Sequence, residues 1–303
     1  MVIKHLSDIV EEARKRGKKR MAVAYGQDAH TIEAVYEAYQ EGLVEPTLYG
    51  ERAVIEKICI EHDIDINAFK IVDESKDVNC VRLAVSAVVS GDADVLMKGL
   101  VSTDKYMRGI LNKEAGLFPP RGVLSHVTIV EMPAYPKLLI ISDAAVIPQP
   151  DFKQKMAQIG YLTRTANIIG IEQPKIACLA PSEQVLPNVP SSHEATLLAK
   201  MGDRGQFGNV LIDGPVSLDV ALYKEVAEHK KVKGSPFVGE PDCLLFPNIE
   251  AGNTFFKAAT HIAGGELAAM VMGTKVPCVL TSRGDSSKTK LYSIALACLA
   301  VKQ

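Results

Sequence analysis

Residues 276–300 read VPCVLTSRGDSSKTKLYSIALACLA. A short apolar run, Pro277 to Thr281, stops at Ser282-Arg283-Gly284-Asp285-Ser286-Ser287. Leu291, Ile294, Ala295, Cys298 and Leu299 then recur at helical spacing. A run of that length suits a strand buried on both faces, and the stripe after it suits a helix. Strand, polar turn and helix in succession form the repeating unit of a sheet covered by helices.

The same unit recurs along the chain. MAVAY (21–25), PTLYG (46–50), FKIVD (69–73) and ADVLM (93–97) read as strands, as do KIACLA (175–180), NVLID (209–213) and DCLLF (242–246). Between them Ile32, Val35, Tyr36 and Tyr39 share one helical face, and Val81, Ala84, Val85 and Val88 another. The fold class is α/β with a mostly parallel sheet. One place breaks the rhythm. HVTIVEM (126–132) and KLLIIS (137–142) are joined only by Pro133-Ala134-Tyr135-Pro136, which predicts an antiparallel hairpin and a change of domain.

The 303 residues allow one large domain or two ordinary ones, and 47% hydrophobic with 23% charged is the balance of a chain with a sizeable core. A net charge of -2 argues against a nucleic-acid or membrane surface. The basic cluster Arg14-Lys15-Arg16-Gly17-Lys18-Lys19-Arg20 reads as a solvated helix end. The six cysteines form no Cys-x-x-Cys pair and lie mostly in apolar runs, so they read as small buried hydrophobes in a reducing compartment. No charged-then-apolar leader opens the chain, and no apolar run is long enough to span a bilayer. A cytoplasmic protein is expected.

Ligands of open α/β sheets bind beyond the carboxyl ends of strands. The turns there carry the candidates: Lys98-Gly99-Leu100-Val101-Ser102-Thr103, Ser142-Asp143-Ala144-Ala145, Asp213-Gly214-Pro215, Pro247 to Asn253, and the opening motif. Ser102 and Thr103, and Ser282 to Ser287, stand where helices should begin, and a helix start offers free N–H groups to an anion. Arg283 adds a fork suited to phosphate, and Gly284 lets the backbone come close. Ser102 and Ser286 equally suit helix caps. Asp213-Gly-Pro suits a strand-to-turn device. No Gly-x-x-x-x-Gly-Lys-Ser/Thr loop, Gly-x-Gly-x-x-Gly fingerprint, Gly-x-Ser-x-Gly elbow or His-Glu-x-x-His is present. No metal is expected. The residues by themselves point to an anion site suited to a phosphoryl compound and stop short of a reaction.

Five segments carry a resemblance: ADVLMKGLVSTDKYMRGIL, LLIISDAAVIPQPD, MGDRGQFGNVLIDGPVSLDVAL, PDCLLFPNIEAGNTFFKA and VLTSRGDSSKTKLYSIALA. In this order and spacing the chain resembles the phosphate acetyl/butyryltransferase family, and within it the butyryl branch. The resemblance implies an isocitrate/isopropylmalate dehydrogenase-like α/β/α sandwich in two domains with the active site in the cleft between them. The expected division is 1–132 with 275–303, and 133–274. Homodimers or larger homo-oligomers are implied.

It also implies the reaction of an acyl-CoA with inorganic phosphate to give an acyl phosphate and free CoA, by direct transfer, with CoA as substrate or product and no cofactor. Ser282, Arg283 and Asp285 are then the catalytic candidates: Arg283 for the phosphate, Ser282 for the oxyanion or thiol, Asp285 for the proton. Ser102, Thr103, Lys98, Lys257, Asn253, Gly284, Asp143 and Asp213 are the substrate-binding candidates, with Asp213 and Asp143 as further possible bases. Two positions depart from the family. Thr289 stands where the acetyl branch carries an Asp proposed as base, and Gly284 stands where the butyryl branch often has Ala. Asp285, three residues after Ser282, is expected on a helix and pointing away from that base position. Phosphate acetyltransferase, a dehydrogenase of the same fold and a non-catalytic CoA- or phosphate-binding protein are the alternatives.

Overall fold

The computed structural model describes residues 2–281 and 285–302. They form two compact units, residues 6–124 with 268–302 and residues 2–5 with 125–267.

The first unit begins with Leu6–Lys15 (α1), which buries Leu6, Ile9, Val10 and Ala13 along one face. Alternation follows: Lys19–Ala24 (β1), Ala29–Gln40 (α2), Val44–Gly50 (β2), Arg52–Glu61 (α3), Lys70–Asp73 (β3), Asp77–Ser90 (α4), Val95–Lys98 (β4) and Thr103–Leu111 (α5). Met21 to Ala24 and Val95 to Met97 are all but inaccessible to solvent, which is why these strands read as unbroken apolar runs. The basic cluster after α1 is engaged rather than merely solvated. Arg16 Nη1 donates to the Leu299 carbonyl at 3.0 Å, and Arg20 grips the Asp94 carboxylate through two nitrogens at 3.1 and 2.6 Å.

The second unit starts with the hairpin. Ser125–Glu131 (β5) and Leu139–Ser142 (β6) pair antiparallel through Thr128–Ile141 and Val130–Leu139. Then come Phe152–Ile168 (α6), Lys175–Leu179 (β7), Pro190–Asp203 (α7), Leu211–Val216 (β8), Leu218–Leu222 (α8), Lys224–His229 (α9), Cys243–Leu245 (β9) and Ile249–His261 (α10). The strand order is β5-β6-β9-β7-β8, with β6, β9, β7 and β8 parallel.

The chain returns to the first unit through Glu266–Met272 (β10), Cys278–Val279 (β11) and Ser287–Ala300 (α11). There the order is β3-β2-β1-β4-β11-β10, all parallel but for the last pair, in which Val271 faces Cys278. Each unit is thus a largely parallel sheet flanked by helices.

Three features differ from the sequence reading. β10 was not anticipated, because Glu-Leu-Ala-Ala-Met-Val-Met favours a helix by propensity; burial on both faces decides otherwise. α11 has no single apolar stripe, since every residue from Lys290 to Ala300 is buried. The units divide at 124/125 and 267/268, not at 132/133 and 274/275: β5 goes with its partner β6, and β10 from Ala268 onward goes with β11. Residues 2–5 go with the second unit, where Ile3 N donates to the Ile169 carbonyl at 2.9 Å.

Candidate functional site

In the first unit the chain leaves β1 on one side to build β2 and β3, then crosses to its other side to build β4. The carboxyl ends of β1 and β4 therefore flank a switch point, where the connections diverge and leave a crevice. The two turns meet closely. Gly99 N donates to the Ala24 carbonyl and Leu100 N to the Tyr25 carbonyl, each at 2.9 Å. A Cβ on Gly99 would lie 2.4 Å from the Tyr25 oxygen, so only glycine fits.

Against this crevice lies a small cavity of about 20 Å³ lined by Asp28, Thr31, Lys98, Gly99, Leu100, Thr281 and Lys290. Lys98 is 5% exposed, and its ammonium donates to the carbonyls of Gly99 (2.9 Å) and Val101 (3.2 Å). It braces the turn that leads to Ser102 and Thr103. Ser102 is the N-cap of α5, its hydroxyl accepting from Lys105 N at 3.4 Å, and Thr103 is the exposed first residue of that helix. Tyr106, fully buried in the next turn of α5, donates to the Val279 carbonyl at 3.2 Å and ties the helix to β11.

Ser282, Arg283 and Gly284 lie outside the described residues. On either side of them, Thr281 is buried two residues beyond β11, and Asp285 lies in a bend before the cap of α11. Asp285 is not helical, so the expectation that helical geometry turns it away does not apply. Ser286 Oγ accepts from Thr289 N at 3.1 Å and also contacts Thr289 Oγ1 at 3.1 Å. Lys290 was missed by the sequence reading. A lysine near a helix start is ordinary in sequence; what marks it is the enclosure of α11 on every side, since burying an ammonium is costly unless it is used.

The remaining candidates belong to the second unit. Asp143 follows β6 and is 2% exposed. Its carboxylate accepts from Ser125 Oγ (2.8 Å) and from the backbone N–H groups of His126 (3.2 Å), Ala145 (2.8 Å), Val146 (2.9 Å) and Ile147 (3.1 Å). Both oxygens are occupied in holding the turn. Asn253 Nδ2 donates to the Ala144 carbonyl at 3.0 Å, fixing α10 to the same turn. Lys257, one helical turn on, is exposed, its ammonium 4.8 Å from the centre of the Phe256 ring. Asp213 lies within β8, which runs on to Val216, and its Oδ1 accepts from Gly214 N at 2.9 Å.

No helix among the described residues is long and apolar enough to cross a membrane.

The sequence matches the phosphate acetyl/butaryl transferase family over residues 5–83 and 76–298. It is 39% identical over 298 residues to phosphate butyryltransferase of Clostridium acetobutylicum, covering 98% of each chain. It is 41% identical over 292 residues to phosphate acetyltransferase of Thermotoga maritima, covering 96% of this chain and 98% of that one. Among solved structures, a branched-chain phosphotransacylase from Enterococcus faecalis superposes with a TM-score of 0.83 at 30% identity, over 93% of this chain and 99% of the other. Matched over nearly its whole length, the chain belongs to the phosphate acetyl/butaryl transferase family.

Proposed function

We propose that the protein is a phosphate acyltransferase that converts a short-chain acyl-CoA, butyryl-CoA by preference, and inorganic phosphate to an acyl phosphate and CoA, reversibly. The observation that carries this reading is the meeting, at the β1/β4 switch point, of the buried Lys98 turn with Thr281, the residue that leads into Ser282-Arg283. Family membership supplies the reaction class.

In the forward direction a phosphate oxygen attacks the thioester carbonyl carbon. The carbonyl oxygen becomes an oxyanion, the C–S bond breaks, and the CoA sulfur leaves as a thiolate that takes a proton. Arg283 holds the phosphate with a two-nitrogen grip. The Ser282 hydroxyl donates to the oxyanion, an interaction that strengthens as charge develops. Ser102, Thr103 and Lys98 line the phosphate side, and Gly284 leaves the backbone room to approach. Asp285 exchanges the thiol proton, since both oxygens of Asp143 are occupied in its turn and Asp213 lies within β8. Asn253 and Lys257 serve the CoA side. Transfer is direct, with no acyl-enzyme and no cofactor.

Six free, buried cysteines accord with a reducing, cytoplasmic setting. A homodimer or higher homo-oligomer is the expected assembly. The acetyl reading has its own support in the identity to the Thermotoga maritima enzyme. The experiment is thiol release from acetyl-, propionyl-, butyryl- and isobutyryl-CoA, with and without phosphate. Phosphate-dependent release with butyryl-CoA fastest is expected. Fastest release from acetyl-CoA moves the protein to the acetyl reading, and no release from any of them overturns the proposal.

A further inference from the structure

The second unit holds a cavity of about 410 Å³, against about 20 Å³ for the one beside Lys98. That size falls within the ~300–1,000 Å³ of small-molecule sites. Every residue lining it belongs to the second unit: residues 4 and 5, the β5–β6 hairpin, and the link from α10 into β10. The hairpin turn lies at the amino end of β6, whereas the Asp143 turn follows its carboxyl end. Four residues of strand, about 13 Å, separate the two. The cavity is therefore at the opposite edge of this sheet from the turns where α/β folds bind substrate, and acyl transfer gives it no task.

Its walls are fixed. The Tyr135 hydroxyl donates to the Pro241 carbonyl at 2.7 Å, and the residue is buried. The Lys137 ammonium donates to the Glu240 carbonyl at 2.9 Å and to Asp242 Oδ1 at 2.5 Å. An ammonium has three N–H groups, and the third makes no hydrogen bond among the described residues. His5 Nδ1 lies 2.7 Å from Glu131 Oε1, which pins the start of the chain to the end of β5.

The charges on the lining decide what fits. With His5 neutral, Lys4 and Lys137 are balanced by Glu131 and Glu266. A polyanion such as a nucleotide would meet two carboxylates, and a polyamine would meet two ammonium groups. A molecule carrying one charge of each sign meets a partner for both. Met132, Tyr135 and Pro136 add an apolar wall, which favours hydrocarbon in the rest of that molecule.

We propose that this cavity is a binding site for a free α-amino acid with an aliphatic side chain. Its ammonium lies on Glu131 and Glu266, its carboxylate on the remaining N–H of Lys137, and its side chain against Met132 and Tyr135. The site does not depend on the transferase reading.

The test is calorimetric titration of the full chain with L-leucine, in the absence of any acyl-CoA or phosphate, and saturable binding is expected. 4-Methylpentanoate, which lacks the ammonium, and L-leucinamide, which lacks the carboxylate, bind about tenfold more weakly or worse, because each leaves a charged group of the wall without its partner. Glu266→Gln keeps the shape, removes the charge and weakens L-leucine by a similar factor. No saturable binding of L-leucine at millimolar concentration overturns the proposal. So does equal binding of 4-methylpentanoate, which is the behaviour of an acyl pocket. L-Leucine binding untouched in a folded Glu266→Gln chain overturns it as well, because the ligand then lies elsewhere. If that variant does not fold, the three ligands on the wild-type chain decide alone. Failure here leaves acyl transfer standing, and a chain that binds L-leucine but releases no CoA loses only the transferase reading.

Discussion

Gly252 and Asp143 touch backbone to backbone: a Cβ placed on Gly252 would lie 2.1 Å from the Asp143 carbonyl oxygen. The first turn of α10 is thereby seated directly on the turn that follows β6. The neighbouring bond from Asn253 Nδ2 to the Ala144 carbonyl depends on that seating. Gly252→Ala should push the helix off the turn and cost about 1–3 kcal/mol, as overpacking does. Thermal melts check this, and an unchanged melting temperature would show that the two elements separate freely.

Ser102 tests whether a cap is also a ligand. Its hydroxyl accepts from Lys105 N and begins α5. Ser102→Ala should cost about 0.5–2 kcal/mol of stability, and Ser102→Asn, an equally good cap, should recover most of it. Acyl transfer should stay impaired in the Asn variant, with a raised phosphate KM. Activity that returns together with stability would assign the hydroxyl to the helix alone.

Arg283→Ala should raise the phosphate KM and lower kcat together, because the two-nitrogen grip is lost in both ground and transition states. Steady-state kinetics with varied phosphate give the answer. An unchanged kcat/KM would take the central residue out of the proposed mechanism.

Acid stability should depend on Asp219. Its carboxyl is pulled down to about 2, first by the Ser217 hydroxyl at 2.6 Å and then by the Lys230 ammonium at 3.0 Å. A carboxyl lowered in the folded chain binds its proton more readily in the unfolded chain. Its contribution is therefore complete above an unfolded pKa of about 3.9 and is lost as pH falls towards about 2. Melting curves of the wild type and Asp219→Asn should differ near neutral pH and converge through that window. Curves that stay parallel down to the lowest pH would deny the carboxyl this role.

β4, β6, β9 and β11 were legible because burial on both faces leaves an unbroken apolar run that few other structures require; β8 runs past its reading because its half-buried Asp213 and Gly214 look like a turn. The hairpin was legible because four residues between two such runs leave room for nothing else. β10 was not, since its Ala and Met residues are set in place by the strands beside them and not by their own preference. Asp143 reads in sequence as a free carboxylate at a strand end; only the fold shows five donors converging on it. Lys290 was hidden for a related reason, because a lysine near a helix start is ordinary until the helix proves to be enclosed on every side.

The enclosed sulfur atoms bear on how this chain is watched at work. All six cysteines are buried, and burial pushes the thiols of Cys178, Cys278 and Cys298 up to about 12 and that of Cys80 to about 11. A dye that colours with free thiolate finds almost none on the folded protein at neutral pH. Colour then counts CoA molecules, and the chain itself contributes only when it opens. The same reagent, added without substrate, becomes a clock for unfolding, with six equivalents as its end point.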